Sequence, residues 1–494
     1  MGEVVIGVDV GSSSVKATAF DGSGRPLFRI GMPIETLRPG PGRAEHDPGR
    51  ILRQVSGALA AVLTRVQEAG DAARAIGLAC QRSSFLVWER GTGRALTPVI
   101  SWQDLRAESI CRGLAPKRRI VAEKTGLPLT AHYGGPKFVW LCRHEPDFVR
   151  RVCRPGAVFS PLSSFLLRHL TGETEPVVDE SIAGRTLLLN LRTRIWDPEL
   201  LDLFEVPGHL LPEIVPVCHV YGAYRFGDRL IPITCCIGDQ QAALAGLCGT
   251  GRGGCVISLG TSGSVLVNIG SSPTAVPGLL TGVAVSTADT VAYAAEGTVN
   301  AVGALFRWFE EEQQIAGAAT GWSRMAAASS RGWIMLPGMY GIAAPYWKES
   351  APTLFDGGSG RPEPAVRLRA GIESIAFLVA DIFEGLETVQ DLAVDRIVAA
   401  GGSAKGPLLQ CVADVLGRVV FRAAIEDATA LGCAMLAGET IDFRLPGPAT
   451  DADDTDTSFH PRIAASVRRA LLEHWHRLLG GQGILPPGQR ADRP

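Results

Sequence analysis

The stretch IPITCCIGDQQAAL, Ile231–Leu244, decides the reading of this chain. The apolar run Ile231–Ile237 predicts a buried strand, and Asp239 follows where that strand gives way to a helix. Further on, a second apolar run is broken by Gly260-Thr261-Ser262-Gly263. An acid at a strand end, then a helix, then a glycine-rich turn suits phosphoryl transfer. The carboxylate accepts a proton from a hydroxyl, and the turn holds phosphates through backbone N–H groups. Asp239 also has a structural use as the N-cap of its helix. The two roles are compatible, because a carboxylate at the positive end of a helix stays ionised and still takes a proton in the transition state.

Outward towards the N-terminus, VVIGVDV (4–10) predicts a strand with Asp9 near its end. Val15–Phe20 and Leu27–Met32 predict two more, with Asp21-Gly22-Ser23-Gly24 as the turn between them. The connection DVGSSSVK (9–16) is a candidate phosphate hairpin: small residues let N–H groups face an anion, and Asp9 can hold Mg²⁺ through water. A tight hairpin with a capping aspartate is the plainer alternative. Asp47-Pro48 predicts the N-cap and first position of a helix running to about Glu68. Ala75–Cys80 and Phe85–Trp88 read as strands.

The opening pattern returns after residue 254. CVISLGTSGSVLVNIG (255–270) repeats the strand, Gly-Ser turn and strand of the N-terminus, with Gly260 opposite Gly11 and Ser258 opposite Asp9. Two similar lobes, with the acid kept in one, suggest a duplicated nucleotide clamp; chance recurrence of Gly/Ser hairpins is the alternative. A strand at 396–400 runs into Gly401-Gly402-Ser403 and a helix from about Pro407, a unit suited to close approach of a ligand. Residues 440–460, with DADDTD, read as a solvated loop, and Ile463–Leu479 as a terminal helix.

Composition narrows the function. The chain has 494 residues, 46% hydrophobic and 20% charged, which predicts a large core and two or three domains. A net charge of −2 offers no bulk attraction to nucleic acid or an anionic membrane. No apolar run approaches about 18 residues, and the chain opens on a strand without a basic leader, so a cytoplasmic protein is expected. Eleven dispersed cysteines without a CxxC pair read as reduced, buried thiols. Nine scattered histidines lack zinc-ligand spacing, and no structural metal is expected. The missing GxxxxGK[ST] motif excludes the P-loop class.

Over roughly residues 3–440 the chain resembles the FGGY carbohydrate kinases, and within them is most similar to glycerol kinases. The likeness is carried by GVDVGSSSVKA, PGRAEHDP (41–48), CQRSSFLVWERGTGRAL (80–96), ISWQDLRA (100–107), YGGPKFVWL (133–141), IGDQQAALAG (237–246), SLGTSGS (258–264), YAAEGTV (293–299), GIAAPYW (341–347), AAGGSAKGPLLQ (399–410) and ATALGCAMLAG (428–438). The resemblance implies an α/β fold of the actin/hexokinase/Hsp70-like ATPase type, two ribonuclease-H-like lobes around an interlobe cleft. It divides the chain into an acceptor-binding lobe at 1–246, an ATP-binding lobe at 247–440, and an acidic loop with a terminal helix at 441–494.

The resemblance also implies roles. Asp239 is the expected base, and Asp9 with Asp239 the expected Mg²⁺ site. Gly11, Ser12, Ser13 and Lys16 would line the phosphate hairpin, and Thr261 would meet the β- and γ-phosphates. Gly303 and Arg307 would border the nucleotide, with Gly402, Ser403 and Gly406 at its adenosine end. Arg82, Asp239 and Gln240 match the acceptor-binding pattern of glycerol kinases, but Ser83 stands where those enzymes have a glutamate. Their tyrosine falls on His132, or on Tyr133 if the alignment slips by one. Serine is smaller and uncharged, so the pocket is expected to favour a ketose or a four- to seven-carbon polyol over glycerol. Trp102 and Gln103-Asp104 would contact the extra length, although core packing is an equal use for Trp102. The expected activity is ATP-dependent phosphorylation of a sugar or polyol hydroxyl. The expected assembly is a homodimer or tetramer, without nucleic-acid or membrane partners. A non-catalytic sensor, or an ATPase on the same fold, is the competing class.

Overall fold

The computed structural model describes residues 2–152, 155–447 and 458–485. Its first sheet has the strand order Ala223–Phe226, Arg229–Gly238, Ala72–Cys80, Glu3–Val10, Ser14–Asp21, Pro26–Pro33. Glu3–Val10 is apolar almost throughout because it lies mid-sheet with both faces covered. It runs parallel to Ala72–Cys80 and antiparallel to Ser14–Asp21, with Asp9 opposite Lys16. Pro26–Pro33 alternates in exposure, as an edge strand does. The helix Pro48–Glu68 starts as expected, with Asp47 accepting a hydrogen bond from the Arg50 amide at 2.6 Å.

The second sheet repeats the plan. Its order is Leu280–Ser286, Val291–Val299, Gly263–Gly270, Gly254–Leu259, Arg396–Ala400, Val420–Arg422, Ser458–Phe459. Gly254–Leu259 is again central, antiparallel to the following strand and parallel to Arg396–Ala400. The duplicated hairpins differ by one residue: Gly11 donates to the Ser14 carbonyl at 3.0 Å, whereas Gly260 donates to that of Ser262 at 2.9 Å.

The two sheets are joined by exchanged helices. Asp239–Cys248 follows the last long strand of the first sheet, yet its Leu244 and Leu247 pack with Val256, Leu266 and Val398 of the second. Ala428–Glu439 follows the second sheet, yet its Ala430, Leu431 and Cys433 pack with Val5, Ala75 and Ile237 of the first. The helices touch backbone to backbone, and a Cβ on Gly432 would lie 1.8 Å from the Ala242 carbonyl oxygen. Only glycine permits that approach.

Between the third and last strands of the first half lies an insertion with a four-stranded sheet, Glu45–His46, Val99–Ile100, Phe85–Glu89, Ala157–Pro161, backed by the helix Gly134–His144. The terminal helix is Ala465–Gly481, and its Trp475 donates to Asp381 at 2.7 Å on the helix Pro364–Leu386. Ser458–Phe459 is an edge strand rather than part of the expected loop, because it completes the second sheet. DADDTD lies outside the described residues. Cys80, Cys235, Cys236 and Cys255 are buried without disulfides. Among the described residues no helix is long and apolar enough to cross a membrane.

Candidate active site

Asp239 occupies the first position of its helix, and Gly238 is the N-cap instead. Its Oδ1 accepts from the Gln240 amide at 2.8 Å and lies 3.4 Å from Arg82 Nε. Burial raises the Asp239 carboxyl, and the Arg82 charge works against that rise. Gly238 is required here: a Cβ would come within 2.9 Å of Arg82 Cδ and 2.6 Å of Gln241 Oε1. Its amide is held by Ser181 Oγ at 2.9 Å, and that hydroxyl in turn donates to the buried Asp179. The strand end carrying Asp239 is therefore anchored from beneath.

Arg82 finds a carboxylate partner in the other half of the chain. Glu296, on Val291–Val299 of the second sheet, receives Nη1 at 2.7 Å and Nη2 at 2.8 Å. Arg185 donates to the same carboxylate at 3.2 Å. Burial opposes ionisation of Glu296, but Arg82 and Arg185 outweigh it and hold the carboxyl at about 2. Tyr133 lies under Arg185, with the guanidinium 5.6 Å from its ring centre.

Trp102 and His132, both expected at the acceptor, pack together with ring centres 5.6 Å apart. Burial depresses the His132 imidazole well below its usual range, and Lys137 and Arg185 depress it further, so the ring is neutral. Tyr133 packs edge-on to His132 and is itself 3% exposed, so His132 is the more open of the two. Ser83 adopts a left-handed backbone, φ 61°, and its buried Oγ has no hydrogen-bond partner. Gln240 is turned to the second sheet, where the hydroxyls of Ser258 and Ser264 each lie 3.3 Å from its Oε1. Asp104 does not face the pocket: it is fully buried, bound by the Ala44 amide at 2.7 Å and by Arg106. Gln103 is engaged by Arg38 at 2.9 Å.

The residues expected at the phosphates come from both hairpins. Asp9 lies 3.5 Å from Lys16, at the base of the turn Gly11-Ser12-Ser13. Burial pushes Asp9 up to about 6; Lys16 partly offsets this, and the charges of Asp239 and Asp427 add to it. On the second hairpin, Gly260 accepts from the Gly303 amide at 2.9 Å and from Ser403 Oγ at 3.1 Å. Thr261 accepts through its carbonyl from the Ala304 amide at 3.0 Å. Three expected nucleotide residues, Gly260's neighbour Thr261, Gly303 and Ser403, are thus brought together. Gly402 lies in the adjoining turn, and Gly406 begins the helix Gly406–Leu416. A cavity of about 540 Å³ opens beside them, lined by Thr261, Asn300, Ala304, Arg307, Glu311 and Tyr340. Of these, Thr261 and Arg307 were expected.

Two family models cover this architecture: residues 4–246 match the N-terminal domain, and 255–440 the C-terminal domain, of the FGGY family of carbohydrate kinases. The chain belongs to that family. It is 33% identical to glycerol kinase of Shewanella oneidensis, over 95% of this chain and 97% of that one. It is 34% identical to glycerol kinase of Symbiobacterium thermophilum, over 96% and 97%. The Plasmodium falciparum glycerol kinase crystallised with ADP superposes with a TM-score of 0.89 at 25% identity, over 98% of this chain and 99% of that one. The protein is an FGGY-family phosphotransferase with a hydroxyl acceptor, on the actin/hexokinase-like ATPase fold.

In this FGGY kinase several residues of the site carry no sequence flag. Glu296 sits in YAAEGTV, a segment that supported the family resemblance without receiving a role. A lone acid inside a buried strand was the available signal, since such a charge needs a partner. Lys137 offered the same signal inside the apolar face of its helix. For Arg185 and Ser181 the local pattern held none.

Proposed function

We propose that this FGGY kinase transfers the γ-phosphoryl group of ATP to a hydroxyl of a ketose or a four- to seven-carbon polyol, in preference to glycerol. The observation that carries the reading is Ser83. It stands at the position of a carboxylate that the resembling glycerol kinases use, and its buried hydroxyl contributes no hydrogen bond. Glu296 does not substitute for that acceptor, because both of its oxygens are committed to Arg82 and Arg185. A glycerol hydroxyl therefore loses a charged partner, while the shorter side chain takes up less space beside Trp102 and His132.

Asp239 is the base. It lies at a helix start beside Arg82, and its raised carboxyl is a better proton acceptor than an ordinary aspartate. The backbone of Gly11-Ser12-Ser13, Lys16 and Thr261 would hold the phosphates, with Arg307 at the border of the nucleotide cavity. Asp9 and Asp239 are oxygen donors in mutual repulsion, which fits a hard divalent cation. When bound, Mg²⁺ supplies charge neutralisation on the phosphates. Arg82, fixed by Glu296, orients the acceptor hydroxyl towards Asp239.

The test is a screen of ATP consumption with glycerol, erythritol, longer alditols, pentuloses and hexuloses. A best kcat/KM for glycerol, at about 10⁴ M⁻¹s⁻¹ or above, would overturn the substrate reading.

A further inference from the structure

Lys137 is 0% exposed, and among the described residues no carboxylate lies within ion-pair distance of it. Asp104, whose charge it feels, is taken up by Arg106 and the Ala44 amide. Burial lowers the Lys137 amine to about 7, reflecting the cost of a buried charge without a counter-ion, and an aliphatic side chain would fill the same space. What the lysine adds is two hydrogen bonds. Its Nζ donates to the Ser101 carbonyl at 2.7 Å and to the His132 carbonyl at 3.0 Å.

Those carbonyls belong to the two loops that carry the pocket rings. Ser101 precedes Trp102, and His132 supplies the facing ring. No backbone hydrogen bond among the described residues joins the two loops. The Ser101–Trp102 peptide is also held from its other side, since the Trp102 amide donates to Ser84 Oγ at 3.1 Å. Ser84 in turn donates to Gln81, and the Gln81 amide group donates to the Gly11 carbonyl at 3.2 Å. The chain of contacts runs from the phosphate hairpin to one ring wall, and Lys137 ties that wall to the other.

We propose that Lys137 is a positioning residue that holds the touching rings of Trp102 and His132 in place, and with them the wall that sets the acceptor length this kinase prefers. It touches no substrate atom; it fixes the loops that do. The proposal rests on the reading above only in placing the acceptor against these two rings.

The experiment compares Lys137→Met, Lys137→Gln and Ser84→Ala with wild-type enzyme on the best acceptor of the screen and on an acceptor two carbons different in length. Lys137→Met is expected to raise the KM of the preferred acceptor at least tenfold and to change the ratio of kcat/KM between the two acceptors at least fivefold. The KM for ATP is expected to stay within twofold. Lys137→Gln keeps two N–H donors and recovers part of the ratio. Ser84→Ala releases the same peptide from its other side, so it shifts the ratio in the same direction without removing a buried charge. Equal loss on both acceptors, or a parallel rise in the KM for ATP, in the variants that fold would overturn the proposal. If both lysine variants fail to fold, an unchanged ratio in Ser84→Ala overturns it alone. A wild-type preference for glycerol would sink the Ser83 reading and leave this ratio test standing.

Discussion

Arg82, in the turn after Ala72–Cys80, and Glu296, on the second sheet, are 214 residues apart in the chain, yet they form a bidentate ion pair at 2.7 and 2.8 Å. The pair crosses between the two halves of the chain, and Arg185 shares it at 3.2 Å. Fork-to-fork geometry is the strongest arrangement a guanidinium and a carboxylate can make. Arg82, proposed above to orient the acceptor, is therefore held by the half of the protein that carries the cavity of about 540 Å³.

Glu296→Gln is expected to destabilise the protein by about 3–5 kcal/mol at neutral pH, because buried Arg185 loses its counter-charge and Arg82 is left with Asp239 alone. The pH dependence follows from the depressed carboxyl, about 2 against an ordinary 4.5. The wild-type contribution is fully present above 4.5 and is lost as pH falls towards 2. In the variant that acid limb is absent. Urea denaturation at pH 7 and pH 3 measures both, and equal stability of the two proteins at pH 7 would refute the coupling.

Asp239→Asn keeps the size of the side chain and the hydrogen bond from the Gln240 amide, but it cannot accept a proton. Turnover is expected to fall by about 10²–10⁴-fold with the KM for ATP little changed. A variant with near-native kcat would remove Asp239 from the role of base.

Asp9 gives a metal-linked pH effect. Its carboxyl is pushed up to about 6 by burial, so protons compete with Mg²⁺ below that value. The Mg²⁺ concentration for half-maximal rate is expected to rise about tenfold per pH unit on the acid side and to level off on the alkaline side. Asp9→Ala should raise the requirement at pH 7.5 and abolish the slope. Mg²⁺ titrations at several pH values decide it, and full activity in EDTA would count against any metal role.

Ser83→Glu restores a charged acceptor. Such a hydrogen bond contributes about 1.5–3 kcal/mol, so kcat/KM for glycerol should improve by roughly one to two orders of magnitude relative to the longer substrate. Ser83 is left-handed at φ 61°, a conformation with little tolerance for a long side chain, so the variant's thermal midpoint should be recorded beside its kinetics. No change in the glycerol ratio would show that the serine does not set acceptor choice.

What was legible in the chain was local. Apolar runs and Gly/Ser turn residues marked the hairpins around Gly11 and Gly260, and Asp47-Pro48 marked the start of Pro48–Glu68. The strand, acid and helix at Ile231–Leu244 located Asp239, although the cap proved to be Gly238. Long-range partners were not legible. Nothing near Arg82 indicates that its carboxylate comes from Glu296, because the pairing exists only once both sheets have formed. The helices Asp239–Cys248 and Ala428–Glu439 are apolar on all sides, which announces burial without saying which sheet each one covers.

Neither sheet has its full apolar cover without a helix contributed by the opposite half of the chain. Melting the second half would strip Ala430, Leu431 and Cys433 from Val5, Ala75 and Ile237, and melting the first would strip Leu244 and Leu247 from Val256 and Val398. A half-unfolded molecule would thus carry a bare hydrophobic face on the part still folded, and that species is too costly to accumulate. Heating should accordingly give one calorimetric transition, with equal van't Hoff and calorimetric enthalpies, from a protein that looks like two.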